Sequence, residues 1–146
     1  MISSRMLVAV ACGAVSLLFL NSFSAAQTKG RIQLQINNVV TGQGQLLIGL
    51  CRKEEYLKEK CTLTKALIPN SNPLRVDLEQ VKPDTYAVQV VYDRNKNFKL
   101  DTNLFGAPSE PVGFSRDATG RMGPPKFADA QFQYAGEEMK LTINLY

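Results

Sequence analysis

The chain has 146 residues, enough for one ordinary domain. Its 45% hydrophobic and 21% charged residues exclude a disordered or collagen-like polymer. Histidine is absent, which removes Ser-His-Asp and Cys-His catalysis, imidazole metal sites and imidazole pH switching together.

Met1 to Arg5 is a short segment with one positive charge, and Met6 to Leu20 is an apolar run. Ser24-Ala25-Ala26 then places small residues at the −3 and −1 positions of a cleavage site. This order predicts a secretory signal peptide over residues 1–26, cleaved to leave one domain over residues 27–146. The apolar run falls short of the roughly 20 residues a spanning helix needs, so no transmembrane segment is expected in the mature chain. Cys12 in Val10-Ala11-Cys12 lies mid-run between apolar neighbours and does not fit a lipoprotein cysteine. The expected location is exported, periplasmic or extracellular. The mature chain keeps 16 of the 17 basic residues against 13 acidic ones. That weak, mixed excess gives no phosphate-binding stripe, and no nucleic acid partner is expected.

Ile32, Leu34 and Ile36 alternate with Gln33, Gln35 and Asn37, the pattern of a half-buried strand. Thr41-Gly42-Gln43-Gly44 is a turn, and Leu46, Ile48 and Leu50 form a second strand. Arg52 to Lys60 is a charged insert that reads as a solvated loop. Cys51 and Cys61 flank it, and an even count in an exported chain predicts a disulfide. Such a bridge stabilises by about 2–3 kcal/mol in the chain-entropy model. Two buried free thiols are the alternative. Without histidine the pair makes a poor zinc site, and it lacks the C-x-x-C spacing of redox work.

Leu63 to Ile68 is a weaker third strand, ended by Pro69-Asn70-Ser71-Asn72-Pro73. Leu74, Val76 and Leu78 give a fourth strand. Val81-Lys82-Pro83-Asp84 is a tight turn into a fifth, Tyr86 to Tyr92, whose second face carries Ala87, Gln89 and Val91. That strand is expected to be central and covered on both sides. Ala130, Phe132 and Tyr134 form a sixth strand, and Met139 to Leu145 a seventh. The mature region shows no sustained 3.6-residue stripe. These features predict an all-β fold: a single antiparallel β-sandwich of about seven strands with one long Asp/Asn/Gly/Pro-rich loop. A small barrel is the second option. An outer-membrane barrel needs at least eight strands of roughly ten residues, longer than most here.

The long loop runs from Asp93 to Lys126. Loops beyond about 12–15 residues in compact domains are usually functional or disordered. This one carries Leu100, Leu104, Phe105, Val112, Phe114 and Met122, so its apolar residues are expected to dock on the sheets. Its backbone polar groups need partners. It opens with oxygen side chains at Asp93, Asn95, Asn97 and Asp101, relative positions 1, 3, 5 and 9 of a calcium loop; the Lys99 carbonyl falls at position 7. These five residues are the candidate site for a Ca-type cation, the one cofactor considered. Phe98 replaces the glycine of position 6, and Leu104 the glutamate of position 12. Arg94, Lys96 and Lys99 interleave positive charge. Glu110 is a later carboxylate whose reach depends on the fold. The competing reading is a run of self-capping Asx turns that needs no ion. Phe114 and Phe127 are either ligand platforms or pins that hold the loop to the sheet.

The blocks Tyr86-Ala87-Val88-Gln89-Val90-Val91-Tyr92-Asp93, Asn95, Asn97, Leu100-Asp101-Thr102-Asn103, Gly106-Ala107-Pro108, Glu110, Gly113-Phe114-Ser115 and Pro124-Pro125 with Phe127 and Asp129-Ala130 carry a family likeness. In their order and spacing the chain resembles the exported bacterial family called domain of unknown function 2141. The resemblance implies an exported β-sandwich and brings no catalytic residues. The turn into Tyr86 is also similar to strand entries in transthyretin-like sandwiches. Two departures stand out: Asp84 at a turn position where the family favours glycine, and Lys96 or Phe98 where it favours glycine inside the Asn-rich loop.

The expected function is that of a non-enzymatic exported module binding an unidentified envelope protein or glycan. One alternative is a carboxylate-based hydrolase acting on glycans, through Asp93 with Asp101 or Asp101 with Glu110. Ser115 lacks both the G-x-S-x-G elbow and a histidine base. The other alternative is a purely structural envelope protein.

Overall fold

The computed structural model describes residues 30–146; the expected signal peptide lies outside them. Strands β1 (Arg31–Asn37), β2 (Gln45–Cys51), β3 (Leu63–Leu67), β4 (Leu74–Glu79) and β5 (Asp84–Asp93) follow the alternation of the sequence. They continue with β6 (Val112–Phe114), β7 (Phe132–Tyr134) and β8 (Met139–Asn144). A single 3-10 turn covers Ser115–Asp117, and a one-turn helix α1 covers Phe127–Ala130. Among the described residues no helix is long and apolar enough to cross a membrane.

The fold is mostly β and forms two sheets. One has the order β4-β1-β8, the other β3-β2-β5, with the far edge of β5 shared by β7 along Asp84–Tyr86 and by β6 along Gln89–Val91. Ile32, Leu34 and Ile36 of β1 are fully buried, as are Leu46, Ile48 and Leu50 of β2 and Val88 and Val90 of β5. They belong to one apolar cluster between the sheets. Removing such a side chain, as in Leu34→Ala, costs about 2–5 kcal/mol, because the transfer term and the residual cavity add.

Three expectations are corrected. Among the described residues there are eight strands, one more than the expected seven or so. The additional β6 has only three residues, too few for an alternation to register, and all three are buried. The pairing is not antiparallel throughout, because β8 runs parallel to β1, with Leu34 opposite Leu141. The alternation in each strand is the same for either direction, so the residue pattern carried no sign of it. Ala130 belongs to α1, and the sixth expected strand shortens to Phe132–Tyr134.

A second apolar cluster covers part of the outer face of β5. Ala87 is buried there with Tyr56, Phe114 and Ala130. Further along the same face Val91 is only partly buried, so β5 is central but not fully sheathed.

Candidate functional site

The Asp93–Glu110 loop leaves the end of β5, where strand register sets its first contact. Gln45 begins β2 directly opposite Asp93. Its Nε2 donates to Asp93 Oδ2 at 2.7 Å, and both side chains are buried. The Phe98 N–H donates to the same oxygen at 2.8 Å, and the Asn97 N–H to Oδ1 at 3.2 Å. Burial pushes the Asp93 carboxyl up. Hydrogen bonds from Gln45 and from the backbone of Phe98, Asn97 and Lys96 outweigh that effect and hold it below the usual carboxylate range.

The next positions are successive Asx turns. Asn95 Oδ1 accepts the Asn97 N–H at 3.0 Å, and Asn97 Oδ1 accepts the Lys99 N–H at 2.8 Å. The freed amide groups turn to Asp101. Asn95 Nδ2 donates to its Oδ2 at 2.6 Å and Asn97 Nδ2 to its Oδ1 at 2.9 Å. Lys96 and Phe98 have φ of 61° and 62°, the left-handed region that favours glycine. The departures at Lys96 and Phe98 therefore mark two positions where the backbone does take the glycine-like conformation.

Glu110 reaches the loop, though not its centre. It is buried and clamps the two ends of the turn series. Oε1 accepts the Arg94 N–H at 2.7 Å and Oε2 the Asp101 N–H at 3.1 Å. The backbone groups of this long loop are thus satisfied largely by its own side chains, which answers how it remains ordered. Between Asp101 and Glu110 the chain doubles back. Ser109 N–H donates to the Asp101 carbonyl, and Thr102 bridges Pro108. At the apex Asn103 Oδ1 accepts the N–H groups of Phe105 and Ala107, and Gly106 turns the chain with φ of 79°.

Leu104 and Phe105 at this apex, and Met122 further along the chain, are 101%, 95% and 102% exposed, so the expectation that they dock on the sheets is corrected. Phe98 and Leu100, both exposed, border a trough of about 520 Å³ over Leu47 and Val91. Val112 and Phe114 do dock, as β6. Phe114 and Phe127 pack edge-on against Tyr56 at 6.1 and 5.5 Å between ring centres, so both act as pins rather than as platforms.

Asp93, Asn95, Asn97 and Asp101 are therefore brought together, with Lys99 tied in through its backbone. Among the described residues no three acidic or cysteine side chains form a cluster that could hold a metal ion. Any cation here would draw on amide and carbonyl oxygens beside the carboxylates. Gln45 and its place opposite Asp93 have no signal in the sequence, where Gln45 reads only as the polar start of a strand. Ser115 has a structural role. Its hydroxyl accepts the Val88 N–H at 2.9 Å and donates to the Ala130 carbonyl at 2.6 Å.

The expected disulfide is present between Cys51 and Cys61, at a sequence separation of 10. It lies on the sheet over Gly49, where an added Cβ would come within 2.8 Å of Cys61 Sγ.

Residues 34–142 match the family described as "Uncharacterized protein conserved in bacteria (DUF2141)". The chain belongs to this family. The match spans β1 to β8 and contains the whole Asp93–Glu110 loop. No curated protein and no solved structure matches the chain.

Proposed function

We propose that this member of the family is an exported, non-enzymatic β-sandwich module whose Asp93–Glu110 loop is the end that binds an envelope or extracellular partner. One observation carries the reading. Leu104 and Phe105 stand almost fully exposed at the apex of a loop whose base holds the N–H groups of Arg94, Asn97, Phe98, Lys99 and Asp101 in hydrogen bonds. Large apolar side chains held in water on an ordered frame contribute nothing to the core, and such patches mark interaction sites. The carboxylates support the non-enzymatic part. Both oxygens of Asp93, of Asp101 and of Glu110 already accept N–H donors, so the pairs named for glycan hydrolysis are engaged in holding the loop.

The test is retention of the processed chain on isolated envelope fractions. The double variant Leu104→Ser/Phe105→Ser is expected to lose at least tenfold in retention at an unchanged melting temperature. Equal retention of variant and parent contradicts the reading.

A second reading concerns the cation. It is favoured by the convergence of Asp93, Asn95, Asn97 and Asp101 in a turn series of calcium-loop spacing; for an ion to bind, the Asn95 and Asn97 amides, which donate to Asp101, would turn their oxygens inward. A Ca-type ion bound by Asp93, Asn95, Asn97, the Lys99 carbonyl and Asp101 would stabilise only the folded chain. At 100 times its dissociation constant it adds about 2.7 kcal/mol, which is several degrees in a melt. A calcium-specific rise that is absent with magnesium and lost in Asp101→Asn supports this reading. Identical melts in millimolar calcium and in chelator overturn it.

A further inference from the structure

We infer that the partner of the loop apex is an anionic lipid surface, an inference that rests on the binding-module reading and names its ligand. The loop from Arg94 to Ser109 carries three exposed charged residues, Arg94, Lys96 and Lys99, and all three are basic. Its acidic residue, Asp101, is partly buried and accepts both Asn amides; the flanking acids Asp93 and Glu110 are buried and hydrogen-bonded. The fully exposed charges of the loop are therefore basic, with the carboxylates of Asp93, Asp101 and Glu110 set behind them. The same segment exposes Phe98, Leu100, Leu104 and Phe105.

Exposed basic side chains and an exposed aromatic and aliphatic tip on one loop supply the two signals that hold a protein at a bilayer interface. Apolar groups enter the headgroup boundary, and cations pair with anionic lipid. Charge complementarity selects this partner over a neutral glycan, which offers nothing to three exposed cations.

The experiment is co-sedimentation of the processed chain with vesicles of phosphatidylglycerol and phosphatidylcholine, and with vesicles of phosphatidylcholine alone. Binding is expected to the anionic vesicles and to weaken with salt. Each of Arg94→Gln, Lys96→Gln and Lys99→Gln should weaken it by roughly fivefold. Leu104→Ser/Phe105→Ser should weaken it by at least tenfold. Because the chain contains no tryptophan, Phe105→Trp supplies a single reporter, and its emission should shift to the blue on anionic vesicles. Vesicle binding that the apex and basic variants leave unchanged overturns the inference, as does emission from the Phe105→Trp variant that stays at its aqueous position. If the apex variant loses envelope retention while no vesicle is bound, the lipid inference falls and the binding-module reading stands. If envelope retention is also independent of the apex, both fall.

Discussion

Two loops rise from the sheet built on β2 and β5, and they are closed by different chemistry. The charged insert after β2 is closed covalently by Cys51–Cys61. Its interior is pinned by Glu55, whose Oε2 accepts the N–H groups of Arg52 and Thr62, and by the inward-facing Tyr56. The Asp93–Glu110 loop has no covalent link. Three carboxylates and three Asn side chains close it, all within hydrogen-bonding distance of N–H donors. The first loop keeps its shape by lowering the entropy of the unfolded chain, the second by satisfying its own backbone. The first therefore answers to reductant, and through Glu55 to acid as well, whereas the second answers to acid alone.

Cutting the covalent closure should give the largest loss. Cys51→Ser/Cys61→Ser is expected to lower stability by about 3 kcal/mol in denaturant titration. The Asp/Asn loop should keep its amide protection in that variant; loss of protection there would erase the distinction between the loops. Breaking the carboxylate closure comes next. Asp93→Ala leaves the Gln45 amide and the Asn97 and Phe98 N–H groups without their acceptor, at about 2 kcal/mol. It should unprotect Arg94 to Asp101 and leave the insert unchanged by the same hydrogen-exchange measurement.

Acid gives a smaller effect, to which Glu55 and Asp84, also held below their ordinary range, contribute beside Asp93. The Asp93 carboxyl is held below its ordinary range, so its contribution is fully present above that range. It is lost as the pH falls from about 4 through the folded value. Urea midpoints measured between pH 7 and pH 2 should show this loss, and Asp93→Asn, with no proton to take up, should show less of it. The apex variants come last: Leu104→Ser and Phe105→Ser touch neither closure and should change stability by less than about 0.5 kcal/mol in the same titration.

The long strands were legible because one face is buried and the other wet. In β1 and β4 the alternation of Ile32, Leu34 and Ile36, and of Leu74, Val76 and Leu78, is the burial pattern itself. β6 was not legible, because its three residues are all buried and one of them is Gly113. The parallel pairing of β8 on β1 depends on a crossover that no local pattern records. Within the candidate site the Asx turns of Asn95 and Asn97 could be read from spacing, since they are local. Gln45 and Glu110 could not, because they reach the loop across 48 and 16 residues. Exposure at Leu104 and Phe105 ran against the general rule that apolar loop residues dock, and that exception is what points to a ligand.

The central claim is that the loop is ordered by its own carboxylates before any partner arrives. Amide hydrogen exchange on the free chain from Gln27, in chelator, tests it most directly. Protection of the Arg94, Asn97, Phe98, Lys99 and Asp101 amides at the level of neighbouring β5 is the result expected, with loss in Asp93→Ala. Exchange of those five amides at the rate of an unstructured chain would contradict it.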